Sequence, residues 1–140
     1  MREMKLSAIY GIPDNQMGTM TFLGISKAMV ADDSFSVIME VGTIHLNTQG
    51  FVHGGILFTL CDQAVGAYLV YKKRKGVGMD GTIHYYRPAQ KGETLTATAY
   101  ERKSGKTTGV YFVELKNQDD KLIADGLFTA MYTGQMRSTD

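Results

Sequence analysis

The longest apolar pattern with a helical period lies in residues 53–75. Its apolar positions recur at intervals of three and four, which is typical of one face of an α-helix; they are Leu57, Leu60, Cys61, Ala64 and Tyr68. Phe58, Val65 and Leu69 cover much of the other side, so the pattern predicts a buried helix. A single carboxylate, Asp62, falls inside it, where a charge is costly unless it is paired or has a function. Four cations at 72–75 followed by Gly76 predict the end of the helix.

Outside this helix the apolar period is two, which is typical of β-strands. The pattern predicts strands over residues 35–41, 77–86, 93–102, 107–116 and 122–133. Residues 42–50 form a polar loop and residues 103–106 a hairpin turn, whereas residues 22–30 fit either a short helix or a strand. We therefore expect an α+β fold in which one antiparallel sheet, with its last four strands in a meander, is crossed by one buried helix.

Length and composition fit one domain of 140 residues, with 44% hydrophobic and 21% charged residues. We expect a core over residues 35–133, an N-terminal extension over 1–34 and a polar tail over 134–140. A net charge of +1 does not suggest a nucleic-acid partner. The single cysteine, Cys61, excludes an internal disulfide and favours a reducing compartment. No apolar run reaches the ~18 residues of a membrane span, and the N-terminus is too weakly apolar for a signal peptide. We therefore expect a cytoplasmic protein.

Candidate chemistry is limited to a few groups near the start of the helix. The three histidines and the scattered carboxylates show no metal-ligand spacing, so we expect no metal and no organic cofactor; the histidines are His45, His53 and His84. No serine lies in a nucleophile elbow, and no glycine pattern matches a phosphate loop. What remains is the Asp62 carboxylate, amide side chains and a helix N-terminus that begins with Gly54 and Gly55. Backbone N–H groups there can stabilise an oxyanion, and Asp62 can act as a base or a nucleophile.

The run HLNTQGFVHGGILFTLCDQA, residues 45–64, resembles the signature of the hotdog-fold acyl-CoA thioesterases of the phenylacetic-acid-degradation type. In that family an Asn precedes His-Gly-Gly by a few residues, and an acid follows nine residues after the His. Asn47, His53 and Asp62 occupy these places. Residues 76–95 and the Gly-Lys hairpin are also similar, so the resemblance covers residues 35–133. It implies the hotdog fold, an antiparallel sheet wrapped around one long helix, and the hydrolysis of acyl-CoA thioesters.

The resemblance also implies roles for individual residues. Asp62 would activate water or attack the thioester, and the Gly54 N–H would polarise its carbonyl. Asn47 would hold the carbonyl or the water, while His53 would shape the loop. The family builds this site across a dimer interface, so a homodimer is expected, and a dimer of dimers as in the family.

Substrate-binding residues are expected on both sides of this site. Gly55 has no side chain to obstruct a ligand carbonyl. Gly78 stands where some relatives carry a serine or threonine, and Asp80 would supply a polar group instead. The coenzyme A phosphates would meet cations in or near the hairpin, namely Arg87, Arg102, Lys103 and Lys106. The rival phosphate site is the cation run 72–75, which the helix dipole disfavours.

Two other functions fit the same residues. A hotdog hydratase or dehydratase would need a His and an acid placed for proton transfer at carbon. A non-catalytic acyl-thioester sensor would keep the glycines but has no need of Asp62. The acyl group stays open between aryl and medium or long alkyl chains.

Overall fold

The computed structural model describes residues 1–135, which form one seven-stranded antiparallel sheet and one long helix. The strands are β1 (Arg2–Lys5), β2 (Lys27–Val30), β3 (Ser34–Glu40), β4 (Arg74–Tyr85), β5 (Thr94–Ser104), β6 (Thr108–Lys116) and β7 (Leu122–Gln135). The helices are α1 (Leu6–Tyr10), α2 (Thr19–Leu23) and α3 (Gly54–Tyr71), with 3₁₀ turns at Asp14–Gln16 and Thr43–His45. The α+β class and the single central helix are therefore as expected. Residues 136–140, most of the predicted polar tail, lie outside the described residues.

The order of the strands corrects one prediction. The sheet runs β1-β2-β3-β5-β6-β7-β4, so only β5, β6 and β7 form a meander. We expected β4 beside β5 as its first member, but both edges of β5 are taken by β3 and β6. The chain crosses the sheet through α3 and returns on the far side of β7. As a result β4 is an edge strand, and one of its edges has no partner strand among residues 1–135.

Helix α3 is shorter than its apolar pattern predicts. It ends at Tyr71, and Lys73 turns the chain with a φ of 61°. Arg74 and Lys75 already pair with Gln135 and Gly134 in β4. The prediction of a helix to residue 75 was wrong, because the reversal uses a lysine in the left-handed region rather than Gly76.

The hairpin turn also begins later than the sequence indicates. We expected it at 103–106, but β5 continues to Ser104 and β6 begins at Thr108. Residues 22–30 contain both alternatives, the end of α2 followed by β2. Together with β1, β2 extends the sheet beyond β3, so the segment treated as an extension carries two of the seven strands.

The core lies between α3 and the sheet. Leu60, Cys61 and Ala64 on the helix have no exposed surface, and neither do Phe35 and Tyr111 on the sheet. Burial raises the pKa of the Cys61 thiol to about 12, which agrees with its interpretation as a small buried apolar residue. By length and mean hydropathy, 1.2 over 18 residues, α3 is long and apolar enough to cross a membrane, contrary to our expectation. The core helix of a water-soluble protein passes the same test, and the packing of α3 against the sheet accounts for its apolar surface.

Candidate active site

The loop before α3 is shaped by the side chain of Asn47. Its Oδ1 accepts hydrogen bonds from the backbone N–H groups of Gln49, at 2.9 Å, and Phe51, at 3.2 Å. Because both partners are N–H donors, the side-chain atom that they contact must be the amide oxygen and not the amide nitrogen. The Nδ2 group has no acceptor within the described part of the chain. Asn47 thus shapes the loop through its oxygen and keeps its N–H groups available for a ligand oxygen.

His45, which was not among the predicted site residues, anchors the same loop from inside the protein. The side chain is buried, its Nδ1 accepts from the Gly42 N–H at 2.9 Å, and its Nε2 lies 2.8 Å from the Leu23 carbonyl oxygen. Its own carbonyl accepts the N–H of His53 at 2.8 Å. His45 therefore connects α2 to the residue that caps α3.

The first turn of α3 carries one free amide. The N-cap residue His53 accepts the Gly55 N–H on its Nδ1 at 3.1 Å. The carbonyl of Gly54 accepts the hydroxyl of Tyr85 at 2.9 Å. The Gly54 N–H has no acceptor among the described residues. The structure therefore brings His53, Gly54 and Gly55 together as the sequence predicts, and it adds Tyr85, for which the sequence holds no signal.

Asp62 lies on the side of α3 that faces β4. Although α3 is largely buried, Asp62 itself is exposed in the single chain. It still borders a hollow of about 170 Å³ that is lined by Phe58, Gly78, Met79, Asp80, Gly81 and Phe128. Partial burial against these groups raises the pKa of its carboxyl above the ordinary value. Within residues 1–135 this carboxylate accepts no hydrogen bond and forms no ion pair.

A β-bulge places part of β4 beside Asp62. Gly78 pairs with Ala130 and Asp80 with Thr129, so Met79 is an extra residue in the strand. Bulges bend a strand and redirect its side chains. In a regular strand Gly78 and Asp80 would share one face and Met79 would point to the other, but around this bulge all three line the hollow that Asp62 borders.

Gly54 and Asp62 do not meet within one chain. They are eight residues apart on one helix, which corresponds to roughly 12 Å at a rise of 1.5 Å per residue. Asn47, His53 and Gly54 do not line the hollow beside Asp62. The candidate residues therefore form two separate groups, or candidate half-sites, one at the start of α3 and one at its middle.

The candidate phosphate cations separate into different places. Arg102 stacks on Phe112, with its Cζ 5.3 Å from the ring centre, and borders a hollow of about 400 Å³ on the sheet. Lys106 borders another hollow, of about 470 Å³, together with Lys72 and Arg74. Lys103 and Arg87 are exposed. The three hairpin cations therefore do not line a single hollow.

Arg74 joins the two cation runs that the sequence analysis treated as rivals. Its guanidinium donates to the Ser104 hydroxyl and the Gly105 carbonyl, both at 3.2 Å, and to the Lys106 carbonyl at 3.4 Å. It also lies 3.6 Å above the ring of Tyr132. The end of α3 and the hairpin therefore lie on one surface, where Glu101 forms an ion pair with Lys72 and lines the same hollow as Arg74 and Lys106. Over residues 1–135 no group of three His, Cys, Asp or Glu side chains is placed to hold a metal ion.

Comparison with known proteins supports the resemblance seen in the sequence. A profile of the thioesterase superfamily matches residues 49–124. The acyl-coenzyme A thioesterase PaaI of Escherichia coli K12 is 42% identical over 94 residues, which cover 66% of this chain and 67% of that protein.

Solved structures extend the likeness beyond the matched sequence. The E. coli PaaI protein from the phenylacetic acid degradation operon aligns with a TM-score of 0.82 and 34% identity over 92% of this chain and 91% of its own. A hypothetical thioesterase of Streptococcus pneumoniae TIGR4, crystallised with coenzyme A, aligns with a TM-score of 0.74 and 32% identity over 78% of this chain and 88% of its own. The chain therefore belongs to the thioesterase superfamily, with the hotdog fold of the PaaI-like proteins, and is a thioester hydrolase.

Proposed function

We propose that the chain hydrolyses acyl-coenzyme A thioesters to a free acid and coenzyme A, and that Asp62 of one chain and Gly54 of a second chain form each site. The observation that carries this proposal is the state of Asp62: a carboxylate without a partner, with a raised pKa, beside a bulged strand. The curated PaaI relative is named an acyl-coenzyme A thioesterase, and the streptococcal relative was crystallised with coenzyme A. Both support a coenzyme A ester as the substrate.

Asp62 supplies the base or the nucleophile. As a base, its carboxylate removes a proton from water while the oxygen of that water attacks the thioester carbonyl. The tetrahedral intermediate then expels the thiolate, which takes up the proton and leaves as coenzyme A. As a nucleophile, the carboxylate forms a mixed anhydride and releases the thiol, and water then hydrolyses the anhydride. The raised pKa suits either route, because a more basic carboxylate is a better proton acceptor and a better nucleophile.

The donors at the start of α3 stabilise the negative charge that develops on the carbonyl oxygen. The Gly54 N–H has no acceptor within residues 1–135 and lies at the positive end of the helix. The free Nδ2 group of Asn47 is a second donor for that oxygen or for the water. All of these groups come from the polypeptide, so the proposed reaction requires no cofactor.

A second chain is needed because the two half-sites are too far apart in one chain. The β4 strand supports a homodimer, since its outer edge has no partner strand among residues 1–135 and its side chains Val77 and Met79 are 53% and 56% exposed. An exposed apolar edge strand is a ready surface for pairing with another chain. A dimer of dimers, coenzyme A contacts by Arg87, Arg102, Lys103 and Lys106, and a cytoplasmic location remain predictions from the sequence.

Thiol release from a panel of aryl, medium-chain and long-chain acyl-coenzyme A esters tests the proposal and identifies the acyl group. With the ester that the wild type hydrolyses fastest, Asp62→Asn should lower kcat by about 10²–10⁴-fold, as expected for loss of a general base. Binding of that ester should stay intact. Asp119→Asn, the same change in an exposed turn, should leave kcat unchanged. Absence of thiol release from every ester, or an Asp62→Asn variant as active as the wild type, would overturn the proposal. Binding without turnover by the wild type would indicate a sensor instead.

A further inference from the structure

We propose that Tyr85 is a positioning residue for hydrolysis, because its hydroxyl holds the first peptide of α3 in the orientation that presents the Gly54 N–H to the substrate. This inference rests on the proposed function, and nothing in the sequence signature points to Tyr85. Tyr85 is the last residue of β4, and its hydroxyl contacts the start of α3.

The contact is close and specific. The Tyr85 hydroxyl donates to the Gly54 carbonyl oxygen at 2.9 Å. A Cβ atom built on Gly54 would lie 3.3 Å from the Tyr85 oxygen and 3.4 Å from its Cζ. The tyrosine therefore reaches the peptide because residue 54 is a glycine.

The peptide between Gly54 and Gly55 is held at both of its polar atoms. Tyr85 binds its carbonyl oxygen, and His53 Nδ1 accepts its N–H at 3.1 Å. The carbonyl of His53 on the preceding peptide accepts the N–H groups of Ile56 and Leu57. The Gly54 N–H is the donor left free between these fixed groups. Such prior orientation of a donor is what makes an oxyanion site effective.

Two successive glycines make this restraint necessary. Glycine has more backbone freedom than any other residue, so a helix that begins with Gly-Gly is poorly fixed by its own backbone. The hydroxyl supplies the restraint from outside the helix. Burial raises the pKa of Tyr85, with a smaller contribution from Cys61, so the phenol stays protonated and remains a donor.

Packing of the ring does not explain the residue. Tyr85 is 47% exposed, so its hydroxyl fills no cavity in the core. The same strand carries the bulge beside Asp62, six positions earlier at Met79. Through Tyr85 the strand is therefore connected to the donor half-site as well as to the carboxylate half-site.

The test compares Tyr85→Phe with Tyr86→Phe. Tyr86 is a matched control, because it is the next residue, is exposed, and loses a hydroxyl that bonds Asp125 at 2.8 Å rather than the helix. Loss of one neutral hydrogen bond should lower kcat in Tyr85→Phe about five- to tenfold. KM and the shape of the pH–rate profile should stay as in the wild type, and the melting temperature should fall no further than in Tyr86→Phe, which also loses one hydrogen bond. A kcat equal to the wild type, or an equal loss in Tyr86→Phe, would overturn the inference.

A second measurement does not depend on turnover. Hydrogen–deuterium exchange at residues 54–58 should be faster in Tyr85→Phe than in the wild type or Tyr86→Phe, and unchanged exchange would overturn the inference. Failure of the proposed function would appear differently, as a wild-type protein that hydrolyses no ester in the panel while the exchange difference persists.

Discussion

Replacing Gly81 by alanine tests the wall of the hollow beside Asp62. A Cβ atom at this position would lie 2.7 Å and 2.8 Å from the Cδ1 and Cε1 atoms of Phe128, and 3.1 Å from the Cζ of Phe58. Non-bonded carbon atoms prefer about 3.5–4.0 Å, so the rings must retreat by roughly 1 Å. Phe128 is only 3% exposed and packs against Phe58 with ring centres 5.4 Å apart, which leaves little room for this movement.

The magnitude follows from two opposing effects. Overpacking a filled core costs about 1–3 kcal/mol, whereas alanine regains about 0.5–1 kcal/mol of the backbone entropy that glycine loses in a strand. Gly81→Ala should therefore lower the free energy of unfolding by about 0.5–2 kcal/mol, and the melting temperature by a few degrees. The displaced rings should also raise KM for the acyl substrate, because they line the hollow beside Asp62.

Urea unfolding of four variants measures this effect: Gly81→Ala, Gly78→Ala, Phe128→Leu, and Gly81→Ala combined with Phe128→Leu. Gly78→Ala makes the same change on the same strand and the same hollow, but its Cβ meets no atom within 4 Å, so its stability should stay equal or rise. Phe128→Leu introduced into Gly81→Ala should recover part of the loss, with a coupling energy of about 1 kcal/mol. The reasoning would be refuted if Gly81→Ala were as stable as Gly78→Ala. It would also be refuted if the effects of Gly81→Ala and Phe128→Leu on the free energy of unfolding were simply additive.

Two further predictions concern charge. Folding raises the pKa of Asp62 above its ordinary value of 3.8, so the free energy of unfolding should fall as the pH rises from 3.8 through the pKa of the folded state. Above that pH range, the urea midpoint of Asp62→Asn should exceed that of the wild type. A difference in midpoint that persists below pH 3.8 would contradict this assignment. The double variant Lys103→Ala with Lys106→Ala should raise KM about three- to tenfold for acyl-coenzyme A but not for an acyl-pantetheine. This rise in KM should become smaller at high salt, because salt screens exposed charges. Lys27→Ala with Lys121→Ala is the matched control, and an equal effect in both pairs would place the phosphates elsewhere.

Features set by nearby residues could be predicted from the sequence. The periodicity of Leu57, Leu60 and Ala64 identified the core helix because burial of one helical face depends on short spacings. The resemblance of residues 45–64 to a family signature led to Asn47, His53 and Asp62 as candidate site residues, because that signature is also a local pattern. The hairpin between β5 and β6 also followed from local turn residues, although its position was shifted.

Features that depend on distant contacts could not be predicted. The place of β4 at the edge follows from the pairing of β3 with β5, which joins residues far apart in the chain. The contact of Tyr85 with Gly54 and the bonds of Arg74 to the hairpin also have no local signal. Lys73 ended the helix early because tertiary pairing of Arg74 outweighed the weak preference of lysine against positive φ.

The shared site is tested most directly by mixing two inactive variants. Asp62→Asn removes the carboxylate. Gly54→Pro removes the N–H from the first helical position, where proline is tolerated, and adds a Cβ atom beside the Tyr85 hydroxyl. His53, with a ψ of 134°, already has the conformation that precedes a proline. Gly54→Ala is the control for the added Cβ atom, because it keeps the N–H.

Each variant alone should be nearly inactive in thiol release from the best acyl-coenzyme A ester. After the two are unfolded together and refolded at equal amounts, about half of the symmetric dimers should be mixed, each with one intact and one doubly defective site. The account predicts recovery of about a quarter of the wild-type rate. A mixture no more active than its two components would contradict a site built from Asp62 of one chain and Gly54 of the other.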